Sequence, residues 1–246
     1  MILFMRLDKF LCQMNLGTRS EIKQKIKKGV VQVNGEVVRK SEMPIAEGKD
    51  EVFYEGKRCV YRPYVYFLMN KPAGVVSATK DNVDKTVMDL FCQEYAKQQD
   101  GQLAGIPVKD MFPVGRLDKD TVGLLVLTND GELAHRILSP RKHIPKTYFV
   151  RTDENIPQEA VMEFQKGICI SQEEQCMPAE LSITGEREAC LTIQEGKFHQ
   201  VKRMFQKIGL QVIYLKRISM GKLTLPEDLP EGCIREMTSE EVAKLC

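Results

Sequence analysis

Apolar residues near the start of the chain recur at helical spacing. Leu7, Phe10, Leu11 and Met14 lie three and four residues apart, so Arg6 to Asn15 reads as an amphipathic helix ended by Gly17. Thr18, with Glu21 three residues on, forms a capping-box pattern, and Ile22 and Ile26 make the apolar stripe of a second helix stopped by Gly29. The period then changes. Val30 to Val33 and Glu36 to Val38 flank Asn34-Gly35, the dipeptide best suited to a type I′ hairpin. Val52 to Tyr54 and Cys59 to Tyr61 flank Glu55-Gly56-Lys57 as a second hairpin. Arg62-Pro63 reads as the joint that ends this module, because proline disfavours helix in its predecessor and cannot donate to a sheet.

Past the joint, Tyr64 to Met69 is expected as a strand, Lys71 to Gly74 as a turn and Val75-Val76 as a further strand. Thr86 to Tyr95 reads as a helix with Val87, Leu90 and Phe91 on one side, and residues 97–110, rich in Gln, Gly and Asp, as a loop without a core role. The unbroken run Gly123 to Thr128 is expected to be a strand buried on both faces. Asn129-Asp130-Gly131 leads into a helix ending at Leu138. Strands follow at Thr147 to Arg151, Ala189 to Ile193 and Val212 to Ile218, with a helix near Gln200 to Ile208. This irregular order implies an α+β fold: a small domain over residues 1–62, then a larger one over 63–246 with a mixed, largely antiparallel sheet flanked by helices.

Global charge is nearly balanced, at 36 basic and 34 acidic residues, but residues 1–40 hold nine Lys/Arg against three Asp/Glu, a local net of +6. Such a patch is either a phosphate-binding surface or a solvated helix face. The eight cysteines are scattered without a Cys-x-x-Cys pair, and three histidines are too few to support a zinc reading. Met1 to Phe4 is too short for a signal core, and no apolar run approaches the roughly 20 residues that span a bilayer. A cytoplasmic protein with free thiols and no membrane partner is the expectation.

No phosphate loop, dinucleotide fingerprint, nucleophile elbow or zinc-binding histidine pair occurs. Two charged islands remain: Arg116, Asp118, Lys119 and Asp120 against the apolar run, and Glu195 to Arg203. A carboxylate at the end of a buried strand needs a basic partner, and such a partner would keep it ionised and fixed for use as a nucleophile or base. Spacing alone leaves a second option, in which Asp118 caps a turn and Lys197, Lys202 and Arg203 form a solvated face.

The segment GRLDKDTVGLLVLTNDG closely resembles the signature of the ribosomal RNA pseudouridine synthases. NKPAGVVS, KTYFV and EGKFHQVKRMF look like that family's other blocks, in the expected order. The N-terminal RLDKFL and TRSEIKQKIKKGVVQVNGEVV are similar to the S4-type RNA-binding module that precedes the catalytic domain in one branch. The resemblance implies isomerisation of uridine to pseudouridine within RNA, with no metal, nucleotide or redox cofactor.

Carried onto this chain, it makes Asp118 the catalytic aspartate, attacking ribose C1′ or removing a sugar proton. Lys202 matches the basic residue paired with it, and Tyr148 the tyrosine that stacks on the target base. Arg116 matches an arginine beside the vacated stack, where a phosphate contact is the alternative, and Val201 would be an apolar wall. These roles suit a base taken out of its stack. Lys119 and Asp120 have no assigned chemistry and are expected on the solvent side. In the module, Arg6, Lys9, Arg19, Ser20, Lys23 and Lys27 are implied phosphate contacts.

Phe198 to Arg203 resembles the branch acting on small-subunit RNA more than the large-subunit branch. This implies a monomeric enzyme whose partner is 16S rRNA or a small-subunit assembly intermediate, modifying the position-516-type uridine. A large-subunit (23S) enzyme and a catalytically silent rRNA-binding assembly factor are the rivals.

Overall fold

The computed structural model describes residues 4–14, 16–46, 49–59, 62–98, 108 and 110–245. It divides into two compact units, Met1–Val65 with Tyr95–Met111, and Tyr66–Glu94 with Phe112–Cys246.

The first unit contains β1 (Phe4–Arg6), α1 (Leu7–Gln13), α2 (Arg19–Lys27), β2 (Val31–Val33), β3 (Glu36–Val37), β4 (Pro44–Ala46), β5 (Val52–Tyr54) and β6 (Lys57–Cys59). The apolar stripes are the core: Leu7, Phe10, Leu11, Ile22 and Ile26 pack with Val31, Val33, Ile45 and Val52. The Thr18 capping box forms as its spacing predicts, the Thr18 amide donating to Glu21 Oε2 at 2.8 Å. The first helix starts one residue late because Phe4–Arg6 pairs antiparallel with β4. Asn34 and Gly35 take φ values of 52° and 85°, the positive pair that a type I′ turn requires. Glu55 and Gly56 repeat this at 49° and 77°, so the second hairpin has a two-residue turn and Lys57 already pairs with Tyr54. Val60 and Tyr61 lie outside the described residues.

The second unit contains β7 (Tyr66–Lys71), α3 (Val87–Lys97) as far as Glu94, β8 (Phe112–Pro113), β9 (Val122–Thr128), α4 (Gly131–Leu138), β10 (Lys146–Thr152), α5 (Ala160–Lys166), β11 (Glu180–Gly185), β12 (Glu188–Ile193), α6 (Gln200–Lys207), β13 (Val212–Met220), β14 (Leu223–Thr224), β15 (Ile234–Glu236) and α7 (Ser239–Ala243). Its sheet runs β11-β12-β10-β13-β9-β7-β15, with β8 on β9 and β14 on β13. Only β13 and β9 pair in parallel among the described strands, which makes the sheet mixed and largely antiparallel.

Every residue of β9 is buried, as the apolar run predicts. Adjacent residues of β7 serve opposite faces: Leu68 joins the cluster that includes Leu133 and Ile137 of α4, and Phe67 meets Phe91 of α3 edge-on at 5.0 Å. Gly123, at φ 102°, lies against β13 so closely that a Cβ there would sit 2.3 Å from the Arg217 carbonyl oxygen. Val75-Val76 is not a strand. Val76 makes a single bridge to Thr86, and its carbonyl accepts from the Val87 amide, tying this segment to the start of α3. The 97–110 loop lies almost wholly outside the described residues.

Candidate active site

The site is assembled from the segment before β9 and the start of α6. Gly115 to Asp120 leaves the sheet between β8 and β9, and two buried side chains grip its backbone. Ser77 Oγ accepts from the Leu117 amide and donates to the Leu117 carbonyl, both at 3.0 Å. Lys71, at the end of β7 and opposite Gly123, is fully buried. Its Nζ, with three protons to share, lies within hydrogen-bond distance of four carbonyl oxygens: Thr121 at 2.8 Å, Pro72 and Asp118 at 3.1 Å, and Lys119 at 3.3 Å. Burial pushes its ammonium down to about 8, against the attraction of Asp120 and Asp118. The Asp118 and Lys119 carbonyls thus face a buried cation, and the side chains of Arg116, Leu117 and Asp118 line the cavity.

The facing charge comes from α6. Lys202 Nζ lies 3.3 Å from Asp118 Oδ2 and 2.6 Å from Asp120 Oδ1, and His199 Nε2 lies 3.6 Å from Asp118 Oδ1. The pairing of Asp118 with a distant cation is therefore present. Asp120 is on the solvent side as expected, its side chain 73% exposed, but it also holds the shorter contact to Lys202, which the sequence did not indicate. Desolvation raises its carboxyl, but the hydrogen bond and charge of Lys202 outweigh that, and the net shift is downward. Lys119 turns outward and pairs with Asp84 at 2.5 Å.

The start of α6 is itself anchored. Buried Gln200 accepts from the Lys197 amide at 2.9 Å and donates to Glu195 Oε1 at 2.8 Å, and the same carboxylate accepts from the Met177 amide. This places Val201 and Lys202 in one cavity with Arg116, Asp118, Tyr148 and His199. Tyr148 is buried on β10, its ring on the cavity wall. Arg116 is exposed at the rim and makes no ion pair among the described residues.

In the first unit, Asp8 is fully buried and collects two of the predicted phosphate contacts. Arg6 donates to it through Nε at 3.1 Å and Nη2 at 2.9 Å, and Arg19 through Nε at 3.3 Å. Desolvation raises the Asp8 carboxyl, the two guanidiniums lower it further, and the net shift is downward. Arg6 and Arg19 thus spend part of their charge inside the module, while Lys9, Ser20 and Lys27 are exposed and Lys23 is half-buried.

Sequence reasoning assigned no role to Lys71, Ser77, Asp120 or His199. Lys71 and Ser77 lie within NKPAGVVS, and the available signal was a lysine closing an apolar strand, where it must find partners or leave the sheet.

Comparison with known proteins identifies the family. The family described as RNA pseudouridylate synthase matches residues 65–207, and the S4 domain matches residues 5–52. The chain is 42% identical over 242 residues to YtzG of Bacillus subtilis, an uncharacterized RNA pseudouridine synthase, with 97% of each chain covered. It is 39% identical over 242 residues to ribosomal small subunit pseudouridine synthase A of Vibrio cholerae, covering 98% of this chain and 99% of that one. A crystal structure of a pseudouridylate synthase superposes with a TM-score of 0.65 at 36% identity, over 98% of this chain and 100% of the other. The chain therefore belongs to the RNA pseudouridylate synthase family, with an S4 domain ahead of the synthase region.

Proposed function

We propose that the protein isomerises one uridine of 16S rRNA, the position-516-type site, to pseudouridine, working in the cytoplasm on the RNA or a small-subunit assembly intermediate. The observation that carries this reading is the Asp118 carboxylate held 3.3 Å from Lys202 in a cavity walled by Tyr148 and rimmed by Arg116. The full-length likeness to proteins of Vibrio cholerae and Escherichia coli named for the small ribosomal subunit supports the choice of RNA.

In this reading residues 1–62 dock the RNA and residues 63–246 do the chemistry. The target uridine leaves its stack, and its base enters the cavity against Tyr148, with Val201 as an apolar wall and Arg116 beside the gap left behind. Asp118 acts on the sugar, as nucleophile at C1′ or as base toward a ribose proton. As a nucleophile Asp118 forms an ester to C1′ as the N1 to C1′ bond breaks, and C5 of the turned uracil then displaces the carboxylate; as a base it takes the ribose proton as N1 leaves and returns it as C5 bonds to C1′; in both routes the C5 proton is lost to solvent. Lys202, 3.3 Å away, aims the carboxylate. Lys71 and Ser77 position Asp118 through its backbone.

The deciding test of substrate is pseudouridine mapping in both ribosomal RNAs from a deletion strain. One missing modification in 16S RNA is expected; a loss in 23S RNA instead would overturn the assignment. The module makes a separate prediction. Replacing Lys9, Lys23 and Lys27 together with Gln is expected to weaken RNA binding and lower the slope of log affinity against log salt by about 2 to 3, one phosphate contact per lysine. An unchanged slope would make the basic patch a solvated face.

A further inference from the structure

We propose that Phe198 is a stacking platform for an unpaired nucleobase next to the target uridine, a subsite distinct from the roles of Asp118, Lys202, Tyr148 and Arg116. The proposal rests on the RNA-isomerase reading above. Phe198 is 74% exposed, one of few large apolar side chains so open. An isolated exposed aromatic is ordinary on a protein surface. This one is held in place. Its ring lies on the His199 imidazole, centroids 3.8 Å apart and planes 19° from parallel. The Phe198 carbonyl accepts from Arg203 Nη1 at 3.2 Å, one turn into α6.

His199 takes the left-handed conformation at φ 49°, which a residue with a Cβ adopts only where its surroundings impose it. Its Nε2 in turn lies 3.6 Å from Asp118 Oδ1. Asp118 thus meets the imidazole at its Nε2 edge while Phe198 covers one imidazole face, so a largely solvent-open phenyl ring, backed by a second ring, stands one side chain away from the carboxylate.

The size and surroundings of that face select the occupant. One phenyl ring matches one base, and every base has a π-face to offer. Lys197, Lys202 and Arg203 each hold a carboxylate partner, Glu195 at 3.9 Å, Asp120 at 2.6 Å and Glu174 at 2.6 Å, whereas exposed Arg116 of the same cavity makes no ion pair among the described residues and leaves a positive charge that suits a polyanion more than an apolar protein segment. The reaction itself supplies the ligand. When the target base leaves the helix its neighbours lose their stacking partner, and the ring stacked on His199 replaces it for one of them.

The chain contains no tryptophan, so Phe198→Trp creates a single-reporter protein. Titrated with a 16S RNA fragment that carries the target uridine, with binding followed in parallel by electrophoretic shift, its emission is expected to fall by about half or more as the complex saturates, the mark of base stacking. In tritium release from C5-labelled RNA, Phe198→Ala is expected to raise KM about tenfold with the limiting rate changed less than twofold, and Phe198→Trp to restore KM to near the wild-type value. Unchanged emission at saturating RNA, or a Phe198→Ala KM within twofold of wild type, would overturn the platform. Emission reports contact and not turnover, so the two readings fail separately. Wild-type protein that binds ribosomal RNA without releasing tritium sinks the isomerase reading, and the emission result still decides the stacking site.

Discussion

Asp118→Asn is expected to reduce turnover by on the order of 10⁴-fold or more while RNA affinity stays within about threefold of wild type. The two side chains have nearly the same shape, so the Ser77 and Lys71 contacts to the backbone on either side are untouched. What disappears is the anion. An amide neither attacks C1′ nor accepts a ribose proton, and neither route to the broken glycosidic bond survives. Lys202 is not stranded by the change, because Asp120 already holds it at 2.6 Å and remains. That second carboxylate makes the substitution a clean test: the half-buried cation keeps a partner, and loss of activity cannot be ascribed to collapse of the site. Single-turnover tritium release from C5-labelled 16S RNA, beside a binding isotherm, is the measurement. Residual activity above about one part in a hundred would remove Asp118 from the chemistry, and an equal loss of binding would mark it as a docking residue.

How far the sequence discloses this site depends on what each residue is asked to reveal. β9 is legible because a strand buried on both faces has no polar positions, and α2 because its cap is local, contained within Thr18 to Glu21. β1 is not legible: three residues pair with β4, some forty positions away, and nothing near Phe4 records it. β11 was missed for a related reason, since only Leu181 of its six residues is buried and the alternation is too weak to read. Family resemblance placed Lys202 beside Asp118, whereas spacing alone left Lys202 equally at home on a solvated face. Asp120 shows the limit of reasoning from exposure, being open to solvent and still the nearest partner of the cation. Lys71 shows the limit of reasoning from charge. The predicted strand stopped at Met69 with Lys71 to Gly74 as a turn, yet Lys71 is the last residue of the strand and four carbonyls converge on its ammonium.

That cage leads to the second large effect. Lys71→Met is expected to destabilise the synthase region by about 2 to 4 kcal/mol at neutral pH and to lower the limiting rate by about 10²-fold. Two of the four carbonyls keep a backbone donor, Asp118 O from the Thr121 amide and Lys119 O from the Gly74 amide. Pro72 O loses its ammonium contact, as does Thr121 O, whose contact is the shortest of the four, and a thioether gives no donor in return. The catalytic consequence follows from position, since the lost contacts surround Asp118 and a shift of about 1 Å there spoils alignment with the sugar. A pH signature separates this from an ordinary core defect. The folded-state value of Lys71 is about 8, below the ordinary 10.5, so between these values the unfolded chain holds a proton that the folded chain gives up. Stability from this group therefore rises with pH across that window, and below about 8 the cost of burying the charge is fully present. Between pH 7 and pH 9.5 the wild-type protein should gain about 2 kcal/mol relative to Lys71→Met, a widening of the Tm gap by about 4 to 8 °C. A gap independent of pH would mean that the buried ammonium stays charged throughout and that the carbonyl cage outweighs its desolvation.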